Sequence, residues 1–92
     1  MHTPTETHYK ILAAIAALKN GFDMADLRHY TQNRSGLVEE IFDQHYACLC
    51  KKRNDGQFLL RKEATKLLAL HIELYYVALN AQVFFTALRE AR

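Results

Sequence analysis

Lys51-Lys52-Arg53-Asn54-Asp55-Gly56-Gln57-Phe58-Leu59-Leu60-Arg61-Lys62-Glu63 is the run on which the fold turns. Asp55-Gly56 stands between two short apolar segments, Cys48-Leu49-Cys50 and Gln57-Phe58-Leu59-Leu60, in a chain that otherwise has helical period. Glycine reaches the positive φ that a tight turn demands, so an Asp-Gly pair in this setting predicts a β-hairpin. Alternate residues of a strand share a face, which puts Phe58 and Leu60 together on the core side. The hairpin is also basic. Residues 51–66 hold Lys51, Lys52, Arg53, Arg61, Lys62 and Lys66 against Asp55 and Glu63, a local +4, while the whole chain carries +2. The remainder is therefore slightly acidic, and a basic patch on such a body is a candidate anion-binding surface. The alternative is a solvated hairpin whose lysines keep it from pairing edge to edge with other sheets.

Upstream of the hairpin the pattern predicts three helices. Tyr9, Ile11, Leu12, Ile15, Ala16 and Leu18 form an apolar stripe for a first helix from about Thr7 to Asn20, capped by Thr5 or Thr7 and stopped by Asn20-Gly21. Phe22 should tuck under its end. Asp23 is a good N-cap for a second, shorter helix ending near Thr31, with Leu27 and Tyr30 inward beside Met24 or Ala25. The polar run Gln32-Asn33-Arg34-Ser35-Gly36 breaks it. A third helix is expected from near Ser35 to about Ala47, with Leu37, Val38, Ile41, Phe42, His45 and Tyr46 inward and Glu39, Glu40, Asp43 and Gln44 outward.

Downstream, helical period returns at about Lys62 and runs to the end. Leu67, Leu70, Leu74, Val77, Ala81, Phe84 and Leu88 recur at alternating spacings of three and four, an unbroken heptad seam. Leu68, Ile72, Tyr75, Leu79 and Phe85 make a second stripe. A helix apolar on two faces must bury both. About 27 residues of helix span roughly 40 Å, longer than a small head domain can cover, so the half from Tyr76 onward should project and meet a partner helix. A two-fold pair through the first seam is the expected solution. His71, Glu73, Asn80 and Gln82 interrupt the stretch and argue against a membrane span.

Ninety-two residues, half of them apolar, with one Pro and three Gly, suit a single folded domain, with residues 7–61 as head and 62–92 as dimerisation helix. The N-terminal Met1-His2-Thr3-Pro4-Thr5-Glu6 has no apolar signal region, and a cytoplasmic protein is the expectation. Cys48 and Cys50, two apart on one strand, would point to one face, an awkward geometry for a mutual disulfide. They read as reduced packing thiols, the alternative being a redox switch or soft-metal site. His2, His8, His29, His45 and His71 show no His-x-x-x-His spacing, and there is no Cys-x-x-Cys, no Gly-rich phosphate loop and no nucleophile with an evident base. No enzyme, cofactor or metal is therefore expected. Tyr75-Tyr76 and Phe84-Phe85 are either interface packing or the lining of a ligand pocket between paired helices.

Helix, helix, helix, basic hairpin, long helix resembles the winged helix-turn-helix superfamily, and within it the small dimeric regulators of the MarR and PadR type. Ala25-Asp26-Leu27-Arg28-His29-Tyr30-Thr31 resembles the first helix of the turn motif, Ser35 to Tyr46 stands where the recognition helix would be, and Asp55 to Ala64 looks like the return strand of a wing entering a helix. The likeness covers residues 7 to 66. It implies a mainly α fold with a small β-hairpin, and a homodimer that binds double-stranded DNA with its third helix in the major groove and its wing on phosphates. On the wing, Lys51, Lys52, Arg53, Arg61 and Lys62 would neutralise phosphates. Asn33, Arg34 and Ser35 would hold a phosphate or reach a base edge, and Arg28 and His29 would add backbone contacts. The chain departs from the pattern at Glu39, Glu40 and Asp43, which phosphates repel, although one acid can accept from cytosine N4. The alternative is a winged-helix module that binds a protein partner through this acidic face.

Overall fold

A computed structural model describes residues 4–90 and shows a mainly helical chain with one two-stranded antiparallel hairpin and a long C-terminal helix. Helix α1, Pro4–Ala17, begins three residues before the expected Thr7. Proline suits the first helical position, where its missing N–H is no loss. The helix ends at Ala17 rather than Asn20 because Leu18–Asn20 turn away, with the Gly21 amide donating to Leu18 O at 3.0 Å. Ile11, Leu12, Ala14 and Ile15 are fully buried and form the face on which the rest of the core is laid.

Phe22, buried as expected, does more than tuck under α1. Its backbone exchanges two hydrogen bonds with Phe58, at 3.0 and 2.7 Å, so residue 22 adds a one-residue third strand to the hairpin. Asp23 caps helix α2, Met24–Thr31, and Asp26 returns the favour: each carboxylate accepts the other's backbone N–H, which satisfies two donors at a helix start. Leu27 is buried, but Tyr30 is 47% exposed, contrary to its expected inward place. Thr31 is inward instead and donates its hydroxyl to Leu27 O at 2.7 Å. Gln32 takes a left-handed φ of 55° and ends the helix.

The third helical stretch is shorter and less regular than its period suggests. Helix α3 is Leu37–Ile41, followed by a π-helical turn, Phe42–Tyr46, and a 3₁₀ turn, Ala47–Leu49. A π turn advances each residue less about the axis, so a 3.6-residue stripe stops predicting which side faces in. Val38, Ile41, Phe42 and Tyr46 are buried as expected, whereas Leu37 and His45 are exposed. Phe42 meets Phe22 and Phe58 at ring-centroid distances of 5.8 and 5.1 Å, and Phe22 meets Phe58 at 5.8 Å. This aromatic trio joins the helices to the hairpin, in edge-on and stacked arrangements that favour ring quadrupoles.

Strands β1, Cys50–Lys52, and β2, Phe58–Leu60, pair in the register Cys50↔Leu60 and Lys52↔Phe58. Phe58 and Leu60 do share a face, and both pack against the core. Because the 3₁₀ turn takes up Ala47–Leu49, Cys48 lies outside the strand and is exposed, while Cys50 is buried; the two thiols do not share a face. A second 3₁₀ turn, Lys62–Ala64, leads into helix α4, Thr65–Glu90.

Helix α4 lies antiparallel along α1. Leu68 is buried in the core, Tyr75 stacks on His8, Tyr76 meets Tyr9 at 6.1 Å, and Gln82 donates to the Thr5 hydroxyl at 3.3 Å. The second apolar stripe thus finds its cover in α1 as far as Gln82, except for Phe85, which stays exposed. Contact with α1 therefore extends beyond Tyr76, the residue from which projection was expected.

Candidate functional site

The hairpin loop is closed by its own hydrogen bonds. Gly56 N–H donates to Arg53 O at 2.9 Å, and Gly56 has a φ of +86°, the left-handed residue that lets a short loop return into the strand. The Asp55 carboxylate accepts from Arg53 Nε and Nη2 (2.7 Å at the closest) and from the Gln57 amide at 3.1 Å. These bonds raise the pKa of the Arg53 guanidinium and hold the Asp55 carboxyl below its ordinary range. Arg53 Nη2 also donates to Gln57 Oε1 at 3.1 Å. That amide oxygen lies 2.7 Å from where a Cβ on Gly21 would stand, and Gly21 has a φ of +152°. The loop between α1 and α2 thus passes close under the Gln57 and Arg53 side chains, and the positive φ of Gly21 is what favours glycine there.

The expected phosphate-contacting residues divide accordingly. Arg53 is held by its own loop. Arg61 donates to Cys50 O at 3.3 Å and lies 3.6 Å from Glu63. Arg28 pairs with Glu39 on α3, which neutralises one of the three acids on that face. Lys51, Lys52, Lys62 and Arg34 are exposed and make no ion pair among the described residues, although the Lys52 ammonium lies 5.8 Å from the centre of the Phe58 ring. The free positive charge of the hairpin therefore sits on its lysines.

The segment ahead of α3 is ordered by its own side chains. Asn33 Oδ1 accepts from the Ser35 amide at 3.0 Å and the Ser35 hydroxyl at 2.7 Å, a local turn that competes with helix formation and delays α3 to Leu37. Both side chains are thereby partly engaged. Arg28, His29 and Arg34 are brought together, with Ala25 and Gln32, around an open cleft of about 600 Å³. Gln32 was not legible there in the sequence, since its position follows from its left-handed backbone. Glu40 and Asp43 remain exposed beside the exposed Leu37.

The outer seam of α4 is bare. Leu67, Leu70, Leu74, Val77, Phe84 and Leu88 are all exposed, and Ala81 is half-buried; Tyr76, Val83 and Phe85 extend the apolar surface. Residues Lys62–Glu90 are long and apolar enough to cross a membrane by length and composition alone. His71, Glu73, Asn80 and Gln82 lie along that stretch, and α1 is docked on it. Cys50 is pushed up to about 11, first by burial and then by Cys48, with Arg61 opposing, so its thiol is poorly nucleophilic. No cluster of three or more potential metal ligands occurs among the described residues, and His2 lies outside them. No protein-family model matches the chain, and no curated protein or solved structure is similar to it.

Proposed function

We propose that this chain is a winged-helix regulator that binds double-stranded DNA as a homodimer in the cytoplasm. The observation that carries the proposal is the hydrogen-bonded hairpin whose lysines make no ion pair with carboxylates among the described residues, joined through the Phe22–Phe58 bridge to a three-helix head. Lys51, Lys52 and Lys62 supply phosphate contacts, and Arg34 and His29 extend them around the α2 cleft. The pairing of Arg28 with Glu39 lightens the acidic face, and α3 and the π turn approach the groove with Glu40 and Asp43 as the remaining acids. The bare seam of α4 packs on that of a second copy, which sets two wings for a two-part site. Phosphate binding predicts duplex affinity that falls steeply with salt. Fluorescence titration of a mixed pool of duplex fragments at two salt concentrations tests it; absence of binding at low salt with high micromolar protein overturns it.

A second reading draws on Leu37, 40% exposed beside Glu40 and Asp43. An exposed apolar residue with exposed acids following it in the chain suits a basic protein partner. A pull-down in which charge reversal at Glu40 and Asp43 releases a partner, from a protein that fails to bind DNA, supports that reading.

A further inference from the structure

Five ring side chains from three elements meet where α1, the π turn and α4 converge. His8 of α1 is half-buried among them. Its ring stacks on Tyr75 of α4 at 5.0 Å and 6° between planes, and Nδ1 lies 2.7 Å from the Tyr46 hydroxyl. The His45 ring is 5.2 Å away, and His71 packs edge-on against the far side of Tyr46 at 6.0 Å. The groups that face His8 are thus His45 and Tyr46 from the π turn and Tyr75 from α4, with His71 one ring further. On its own helix Glu6 and Lys10 pair with each other at 3.2 Å.

With the proton of neutral His8 on Nε2, Nδ1 accepts the Tyr46 O–H. A proton on Nδ1 turns that acceptor into a donor. The Tyr46 hydroxyl must then turn its hydrogen away from His8 and accept instead. The new charge would also arrive in a half-buried site beside His45. We propose that this cluster is a pH-sensitive latch: proton uptake at His8 reverses its bond with Tyr46, sets a charge in the half-buried site beside His45, and loosens α1 from the π turn and from α4. Since α1 covers the inner stripe of α4, opening the latch exposes Ile72, Tyr75 and Leu79, whether or not the outer seam is paired.

Burial, and after it His45, lowers the His8 pKa below its ordinary value. The sign follows. The unfolded chain takes up the proton first, so the stabilisation is complete above the unfolded histidine value of about 6.5 and is lost as pH falls through the lower folded value. Thermal unfolding at fixed protein concentration is the test. The wild-type Tm should fall by several degrees between about pH 7.5 and about pH 5.5. His8→Asn, whose amide oxygen can accept from Tyr46 at every pH, should lose most of that fall, while the exposed control His29→Asn should keep it. A flat wild-type profile, or a full fall in His8→Asn, overturns the latch. Should His8→Asn not fold, imidazole titration of the wild type by NMR decides. The latch requires His8 to titrate below the ordinary value together with backbone amides of 42–46 and 71–76, and titration confined to α1 overturns it.

Discussion

Changing Leu74 and Phe84 together to Glu should convert the protein from dimer to monomer. Full burial of a Leu or Phe side chain is worth about 1.5–3 kcal/mol. Leu74 is 67% and Phe84 59% exposed. Covering the exposed parts of both is therefore worth about 2–4 kcal/mol per protomer, and about 4–8 kcal/mol across a two-fold interface where each residue counts twice. With about 1.4 kcal/mol per tenfold, the double variant should weaken association by about three to six orders of magnitude. The cost of bringing two chains together is common to both proteins and cancels in the comparison. Neither residue belongs to the buried core, so circular dichroism of the variant should match the wild type. Sedimentation equilibrium at tens of micromolar should then show a wild-type dimer and a variant monomer. A wild type that sediments as a monomer, or a variant that dimerises as tightly as wild type, refutes the reasoning. A monomeric wild type that partitions onto lipid vesicles would assign the same face to a membrane.

Three further outcomes follow from particular contacts. Lys51→Ala with Lys52→Ala should flatten the dependence of log K on log salt for duplex binding by about 2, whereas Arg53→Ala should change that slope less, because its guanidinium is already held by Asp55. Gly21→Ala forces a side chain into a left-handed backbone and against Gln57, and should cost about 1–3 kcal/mol in denaturant unfolding, with nativelike stability as the contrary result. Alkylation near neutral pH should label the exposed Cys48 rapidly and Cys50 only as the chain unfolds; equal rates in the folded protein would contradict the burial of Cys50.

Much of the fold is local in origin and so is legible in the sequence. Asp55-Gly56 specifies the hairpin because only a residue free to take positive φ closes that loop. Asp23 fixes the start of α2 because its carboxylate reaches a backbone amide three residues on. The heptad spacing fixes which side chains of α4 form one seam. What the sequence left open depends on groups far apart along the chain. The register of His45 was lost at a π turn, which no periodicity announces, and Leu37 stands exposed at the first position of α3. The bridge joins Phe22 to Phe58, far along the chain, so in the sequence Phe22 reads only as one apolar residue. Charge was legible as a count and not as availability: Arg28, Arg53 and Arg61 are neutralised by Glu39, Asp55 and Glu63 once the chain is folded, and the lysines are left free. His8 shows the difference most plainly. In the sequence it is one unpatterned histidine, and it acquires a function only because the fold brings Tyr46, 38 residues away, to its ring nitrogen, and lays Tyr75 flat against its face.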